Sequence, residues 1–171
     1  MKFKKPKFWN ARVNFFSILL LPFSLIVLLI IFLKKKIVKP ISFGTPIICI
    51  GNIYIGGTSK TPTAIFLANK LSKLGNRTVI IRKFYESHTD EYNLIKANFS
   101  NLIINKNRVD GIRKAQESNY DKIILDDGFQ DLTIKKDVNI ICFNKNQLIG
   151  NGLIIPSGPL REGLNSLNNA H

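Results

Sequence analysis

The sequence predicts an α/β fold, a mainly parallel sheet with flanking helices, preceded by one N-terminal membrane helix. Residues 15–33 carry no charged side chain, and after Pro40 short apolar runs alternate with amphipathic stretches. Strand, helix and strand in repeated order is typical of a parallel sheet with helices on its faces. A hydrophobic content of 45% excludes a disordered chain. We therefore predict a basic-flanked helix over residues 1–40 and an α/β domain over residues 41–171.

The uncharged run at residues 15–33 has the length of a membrane span. About 20 apolar residues cross the hydrocarbon core of a bilayer, and membrane helices tolerate a proline such as Pro22. A cleaved signal peptide is the alternative, but its apolar region is usually only about 7–15 residues long. Here Lys34, Lys35 and Lys36 follow the run directly, with no small-residue cleavage site. An interfacial helix is a second alternative, although the run lacks a polar face.

Positive charge is concentrated around this run. The chain has a formal net charge of +14, and no acidic residue occurs in residues 1–40. Basic residues at both ends give no membrane orientation, but they suit anionic lipid head groups. Nucleic-acid binding is the other interpretation of a basic chain, and no nucleic-acid motif supports it. The basic residues of the segment are Lys2, Lys4, Lys5, Lys7, Arg12, Lys34, Lys35, Lys36 and Lys39.

Each element of the α/β domain is predicted from its own pattern. The strands are short apolar runs at residues 46–53, 77–84, 101–104, 121–127 and 137–143. The helices have apolar residues at helical spacing and cover residues 61–74, 92–98 and 108–118. Gly75 is a stop signal for the first helix. Cys49 and Cys142 lie far apart in apolar runs, which argues against a zinc site or a disulfide and favours a reducing compartment.

The stretch Gly51–Thr61, GNIYIGGTSKT, lies between the first predicted strand and the first predicted helix. At such a junction the backbone N–H groups and the helix N-terminus face an anion. Lys60 and Thr61 fit the last two positions of a phosphate loop, whose lysine reaches the β/γ-phosphates and whose hydroxyl binds Mg²⁺. Both glycine positions of that pattern differ, with Tyr54 at the first and Ser59 at the second. A glycine-containing turn that binds nothing is the alternative. The residues predicted to contact the nucleotide are Tyr54, Ile55, Gly56, Gly57, Thr58, Ser59, Lys60 and Thr61.

A second motif supports the phosphate loop. The apolar run Ile123–Leu125 ends in Asp126 and Asp127, the form of an acidic strand end that supports Mg²⁺. Ligands collect at the carboxyl ends of parallel strands. The alternative is a simple turn, because Asp-Asp-Gly commonly ends a strand. Together the two motifs predict a P-loop NTPase-like domain that binds ATP and Mg²⁺, with the metal at Thr61, Asp126 and Asp127.

Longer blocks of sequence extend these motifs. They are the loop PIICIGNIYIGGTSKTP, TDEYNLI at residues 89–95, ILDDGFQ at 124–130 and GNGLIIPSGPLRE at 150–162. Generic P-loop proteins do not carry the last two blocks. With KPKFW near the start, they make the whole chain resemble the tetraacyldisaccharide 4'-kinase family of lipid A and lipopolysaccharide biosynthesis.

The resemblance implies transfer of a phosphoryl group from ATP to the 4'-hydroxyl of a tetraacylated glucosamine disaccharide 1-phosphate. It implies that Asp90 belongs to the base system for the sugar hydroxyl, and that Lys60 and Arg161 complete the catalytic set. Gln130 and Glu162 match further nucleotide-binding positions. From the residues alone, Asp90 could be an acid at a helix N-terminus, where negative charge is favoured, and Arg161 could be a surface arginine.

The resemblance also implies a place in the cell and a set of partners. The expected location is the bacterial inner membrane, with the catalytic domain facing the cytoplasm. The expected partners are the lipid A disaccharide precursor and inner-membrane lipids, with no nucleic acid and no obligate protein partner.

Some positions depart from the family pattern. Ser59 replaces a glycine, and its Cβ costs about 1–2 kcal/mol if the position is left-handed. Phe84 replaces a tyrosine and Asp131 a histidine. Family members continue through a second α/β portion, which holds a histidine expected to pair with the aspartate at position 90. The chain is therefore expected to be the N-terminal, truncated portion, and the alternatives are a membrane-anchored P-loop ATPase and an inactive kinase remnant.

Overall fold

The computed structural model describes residues 5–171, which divide into two compact units. Lys2 and Lys4, part of the predicted basic flank, lie outside the described residues. Of the described residues, the first unit contains 5–38, 52–58 and 143–169. The second unit contains 39–51, 59–142 and 170–171. The predicted domain boundary at residue 40 stays a prediction.

In the first unit a 3₁₀ helix at Lys7–Asn10 is followed by two α-helices, α1 at Phe15–Leu19 and α2 at Leu21–Ile37. The prediction of one membrane helix over residues 15–33 is therefore not supported. Pro22 lies in the first turn of α2, where its missing N–H costs no helical hydrogen bond, and a new helix begins there. Lysines fill the last turn of α2 and shorten its apolar part. Within residues 5–171, no helix is both long and apolar enough to cross a membrane.

Polar side chains attach these helices to the segment that contains the GNGLIIPSGPLRE block. Ser24 of α2 is buried, and its hydroxyl lies 2.8 Å from both the Ile154 carbonyl oxygen and Ser157 Oγ. Trp9 Nε1 donates to the Pro156 carbonyl oxygen over 2.9 Å. Gly150 has φ +60°, and a Cβ there would meet the Trp9 carbonyl oxygen at 2.5 Å. This close approach explains why the position requires glycine.

The second unit contains a five-stranded sheet in which every strand pairing is parallel. The strand order is β3-β2-β4-β1-β5. The strands are β1 at Ile47–Gly51, β2 at Thr78–Lys83, β3 at Leu102–Asn105, β4 at Lys122–Asp126 and β5 at Val138–Ile141. The predicted parallel α/β sheet is thus confirmed. The runs rich in Ile and Val suit such a sheet, because its strands are covered on both faces.

Three helices accompany the sheet: α3 at Lys60–Lys73, α4 at Thr89–Asn98 and α5 at Arg108–Glu117. Helix α3 packs on β1, β2 and β4. Its fully buried Ala64 and Ala68 belong to the same core cluster as Ile80 and Ile124 of the sheet. Their small side chains let the helix approach the strands closely. Burial raises the pKa of Cys49 in β1 to about 12, so its thiol is inert at neutral pH.

The register of the sheet determines which side chains meet at the carboxyl ends of its strands. Asp126 of β4 pairs with Ile50 of β1 on one side and with Arg82 of β2 on the other. Paired residues on neighbouring strands point to the same face of a sheet. Asp126 and Arg82 therefore emerge together on the face covered by the first turn of α3.

Candidate nucleotide and metal site

The second unit brings a hydroxyl, a carboxylate and a guanidinium into direct contact. Thr61 Oγ1, in the first turn of α3, donates to Asp126 Oδ2 over 2.9 Å. Arg82 Nη1 donates to Thr61 Oγ1 over 2.9 Å and also contacts Asp126 Oδ2. All three residues are buried. The predicted metal ligands Thr61 and Asp126 thus lie together, and the positively charged guanidinium of Arg82 contacts both of them.

The second aspartate of the acidic pair faces the loop lysine. Lys60 Nζ lies 3.5 Å from Asp127 Oδ1. Asp127 has φ +57°, a left-handed conformation that aspartate tolerates better than most residues. Arg108 Nη2, at the start of α5, donates to the Asp127 carbonyl oxygen over 2.6 Å. This hydrogen bond fixes the turn that directs the Asp127 carboxylate toward Lys60.

The Asp126 carboxylate has the features of a metal ligand. Burial raises its pKa, while Arg82 and the Thr61 hydroxyl oppose that shift and favour the ionised form. Its Oδ1 atom is buried and has no hydrogen-bond partner among the described residues. No group of three or more His, Cys, Asp or Glu that could hold a metal occurs within residues 5–171. Mg²⁺ needs no such group, because it commonly binds one or two carboxylates plus substrate phosphates. A hydroxyl and two carboxylates therefore fit Mg²⁺.

Arg82 extends from the acidic pair to the start of α4. Its Nη2 atom contacts Glu91 Oε2 and lies 3.4 Å from His88 Nδ1. Burial and the Arg82 charge lower the pKa of His88, so its ring is neutral at pH 7 and accepts from the guanidinium. Asp90, the predicted base, is exposed in the first turn of α4, one residue before Glu91. The structure thus places Asp90 next to the Arg82 network but not within it.

Ser59 adopts a left-handed backbone conformation, the case in which its Cβ is expected to cost stability. Its φ is +61° and ψ +26°, and it is the N-cap residue of α3. A Cβ in this conformation costs about 1–2 kcal/mol. Glycine has no Cβ and avoids this cost.

We expect Ser59→Gly to raise the free energy of unfolding by about 0.5–1 kcal/mol, because relief of strain exceeds the added entropy of the unfolded chain. Urea denaturation measures the change. Ser100→Gly is the matched control, since Ser100 is exposed and its φ is not positive. The control should lose stability, and an equal gain in both variants would contradict strain at position 59.

In the first unit, Asn52 folds residues 52–58 of the loop onto themselves. The two hydrogens of its Nδ2 atom are shared among three acceptors: the Tyr54 carbonyl oxygen at 2.6 Å, the Gly56 carbonyl oxygen at 3.2 Å and Thr58 Oγ1 at 2.9 Å. Tyr54 is fully buried, and its hydroxyl donates to Asn10 Oδ1 over 2.7 Å. Tyr54 therefore supports the loop from within. Gly57 is exposed and Ile55 and Gly56 are half-buried.

The two predicted site residues at the end of the GNGLIIPSGPLRE block lie in the first unit. The Arg161 backbone N–H donates to the Ile53 carbonyl oxygen over 2.7 Å. Glu162 is buried, and its Oε2 atom lies 2.9 Å from Lys35 Nζ of α2. A lysine from the predicted basic flank thus has a structural partner. Gln130, in the second unit, is half-buried in the turn after the acidic pair.

Sequence reasoning did not assign a function to Arg82, Arg108 or Asn52. Arg108 is the clearest omission, because it also bonds Asp131, with Nη1 3.2 Å from Oδ2. Burial alone would raise the pKa of Asp131, but hydrogen bonds from Thr133 and the charge of Arg108 outweigh it and lower that pKa. The sequence offered only a weak signal for these arginines: Arg82 lies near the end of a predicted strand and Arg108 at the start of a predicted helix. Phe84, the other departure, is exposed.

Comparison with known proteins agrees with this geometry. A sequence model of the tetraacyldisaccharide-1-P 4'-kinase family, LpxK, matches residues 16–101 and 85–171. The chain belongs to this family. The resemblance stated from the motifs is therefore confirmed.

Individual family members show how much of the protein is matched. The tetraacyldisaccharide 4'-kinase of Pelagibacter ubique is 48% identical over 171 residues, which cover 98% of this chain and 53% of that protein. The enzyme of the same name from Rickettsia bellii is 34% identical over 177 residues, covering 95% and 55%. The chain spans about half the length of the curated relatives it matches.

A solved structure supports the fold. The "apo" form of LpxK from Aquifex aeolicus in complex with ATP matches with a TM-score of 0.77 and 27% sequence identity. The match covers 90% of this chain and 56% of that one. The α/β architecture predicted from the sequence is thus shared with a solved member of the family.

Proposed function

We propose that the protein functions in ATP-dependent phosphorylation of the 4'-hydroxyl of a tetraacylated glucosamine disaccharide 1-phosphate, a step of lipid A biosynthesis. The observation that carries the proposal is the pair of contacts Lys60–Asp127 and Thr61–Asp126, in a chain of this family. The relative from Aquifex aeolicus was solved with ATP, which supports ATP as the phosphoryl donor. Because the chain covers about half the length of its relatives, the complete reaction is proposed for a protein that also contains the other half found in those relatives.

Each residue has a stated part in this reaction. Lys60 binds the β/γ-phosphates, and the Thr61 hydroxyl with Asp126 and Asp127 holds Mg²⁺. Mg²⁺, when bound, stabilises the charge that develops on the transferred phosphoryl group. Asp90 accepts the proton of the sugar hydroxyl. Arg161 is assigned to the catalytic set, and Gln130 and Glu162 are assigned to nucleotide binding.

Lys60→Ala should weaken ATP binding to the chain about 10- to 100-fold. A hydrogen bond to a charged group contributes about 1.5–3 kcal/mol, and each 1.4 kcal/mol is about a factor of ten. Titration calorimetry with ATP and Mg²⁺ measures the affinity. Lys73→Ala is the matched control, because Lys73 is an exposed lysine of the same helix. Equal affinity in the two variants would contradict the assigned nucleotide site and remove the basis of the proposed function.

The proposal places the protein at the cytoplasmic face of the bacterial inner membrane, where ATP is present. Its support is an inverted burial pattern in the first unit. Ser17 of α1 and Ser24 of α2 are buried, whereas Phe15, Leu25 and Ile37 are among the most exposed large apolar residues. Large exposed apolar patches mark surfaces that another partner covers. The neighbouring lysines suit anionic lipids, so the proposed cover is the interface of the lipid bilayer.

Replacing both Phe15 and Phe16 with serine should weaken binding to vesicles of phosphatidylcholine and phosphatidylglycerol about tenfold or more. Fully burying a phenylalanine contributes about 1.5–3 kcal/mol, and both rings are largely exposed. Vesicle flotation measures the bound fraction. Phe66→Ser is the control, because Phe66 is an exposed phenylalanine of α3 in the second unit. Failure of the unaltered chain to float with vesicles would count against membrane attachment.

A further inference from the structure

Arg82 contacts two of the side chains that are predicted to bind a metal ion, Thr61 and Asp126. Its side chain is only 4% exposed. One of its terminal nitrogens, Nη1, binds Thr61 Oγ1 at 2.9 Å and contacts Asp126 Oδ2. These two oxygens are the groups that the loop and the acidic strand end offer to a divalent cation. Two positive groups cannot share them without strong repulsion, so metal binding requires Nη1 to leave.

A second position for the guanidinium is already present. Nη2 contacts Glu91 Oε2, which belongs to the first turn of α4. The Glu91 side chain is 45% exposed, so it adjusts more easily than the buried Asp126. Arg82 Nε is buried and has no hydrogen-bond partner among the described residues. The guanidinium therefore has an unused donor, Nε, and a second carboxylate partner, Glu91.

We infer that Arg82 acts as a stand-in for the metal ion in the nucleotide-free protein and shifts toward Glu91 when a divalent cation binds Thr61 and Asp126. The inference deepens the proposed function and rests on it, because the cation concerned is the one that accompanies ATP. Arg82 stabilises the buried Asp126 carboxylate, which would otherwise lack a counter-charge. It also keeps the Thr61 hydroxyl oriented before the cation arrives.

The shift of Arg82 toward Glu91 also affects Asp90, the predicted base. Glu91 directly follows Asp90, so a guanidinium that moves onto Glu91 holds the first turn of α4. Arg82 is thus a positioning residue for two parts of the reaction: the metal ligands and the helix that carries Asp90. This role requires no contact of Arg82 with nucleotide or sugar.

Mn²⁺ binding, measured by electron paramagnetic resonance, tests the exchange on the 171-residue chain with and without ADP. Arg82→Met should bind Mn²⁺ about fivefold or more tightly, because the competing cation is gone. Glu91→Gln should bind it about threefold more weakly, because the guanidinium loses its second position. The double variant should match Arg82→Met, since Glu91 acts only through Arg82. Arg113→Met, which removes an exposed arginine of α5, should leave Mn²⁺ binding unchanged.

Several results would overturn the inference. They are unchanged or weaker Mn²⁺ binding in folded Arg82→Met, unaltered binding in Glu91→Gln, additive effects in the double variant, or no Mn²⁺ binding to any of the proteins. Circular dichroism checks folding, and if Arg82→Met does not fold, the half-exposed Glu91→Gln decides alone. Calorimetry with ADP in EDTA keeps the two proposals apart. If ADP does not bind while the variants show the expected order of Mn²⁺ affinities, the proposed function is contradicted and the Arg82 inference stands.

Discussion

Asp126→Ala is expected to lower the free energy of unfolding by about 3 kcal/mol in the absence of metal. Removing one partner of a buried ion pair costs about 3–5 kcal/mol, because the other charge stays buried without compensation. Asp126 is fully buried and Arg82 nearly so, and the two side chains are in direct contact. The lower end of the range applies, since Arg82 retains Glu91 as a partner. The loss should appear as a lower midpoint in urea with an unchanged m-value.

Two further variants identify the cause of this loss. Asp110→Ala is the control, and it should lower the free energy of unfolding by only about 0–1 kcal/mol. It removes an exposed carboxylate whose ion pair with Arg113 is long, at 3.7 Å, and surface pairs of this kind contribute little. Adding Arg82→Met to Asp126→Ala should recover part of the lost stability, because both charges are then gone. If the double variant is less stable than Asp126→Ala by the full cost of Arg82→Met alone, the two side chains do not depend on each other.

The α/β sheet could be predicted because its signals are local. Each strand is a compact apolar run, and a helix with clear amphipathic spacing separates each pair of consecutive strands from β1 to β4. The predicted strand at residues 121–127, for example, corresponds to β4 at Lys122–Asp126. The predicted helix at residues 61–74 corresponds to α3 at Lys60–Lys73. Such patterns leave little ambiguity between strand and helix.

The candidate site could be predicted only in part, because half of it depends on strand order. Lys60, Thr61, Asp126 and Asp127 stand in motifs whose chemistry is local to a strand end. Arg82 stands in no motif of this kind. It reaches Asp126 only because β2 and β4 are neighbours and their register pairs these two positions. Sequence separation does not reveal that pairing.

The N-terminal segment could not be predicted from hydropathy alone for a different reason. An uncharged run does not indicate where the helix is interrupted or which of its side chains face the protein. In the structure the buried positions of α1 and α2 are two serines, Ser17 and Ser24, with hydrogen-bond partners in the first unit. Apart from Asn14, which caps α1, those partners come from residues 151–157, more than a hundred positions away in the chain.

Asp90→Ala should lower turnover about 10²–10⁴-fold in a protein completed with the family's remaining half, while ATP affinity stays nearly intact. General-base assistance has this magnitude, and it corresponds to roughly 3–5 kcal/mol of transition-state stabilisation. In the structure Asp90 is exposed in the first turn of α4, apart from the Lys60, Thr61, Asp126 and Asp127 contacts. A residue so placed can serve the sugar hydroxyl without holding the nucleotide.

The measurement is 4'-phosphorylation of the tetraacylated disaccharide, with kcat and KM for ATP determined separately. Glu117→Ala is the control, because Glu117 is an exposed acid at the end of α5. A loss confined to kcat indicates an interaction made in the transition state, whereas Lys60→Ala should damage both constants. If Asp90→Ala retains full turnover and loses only about 0.3–1 kcal/mol of stability, the carboxylate merely complements the dipole at the start of α4. The base would then have to be another residue of the completed protein.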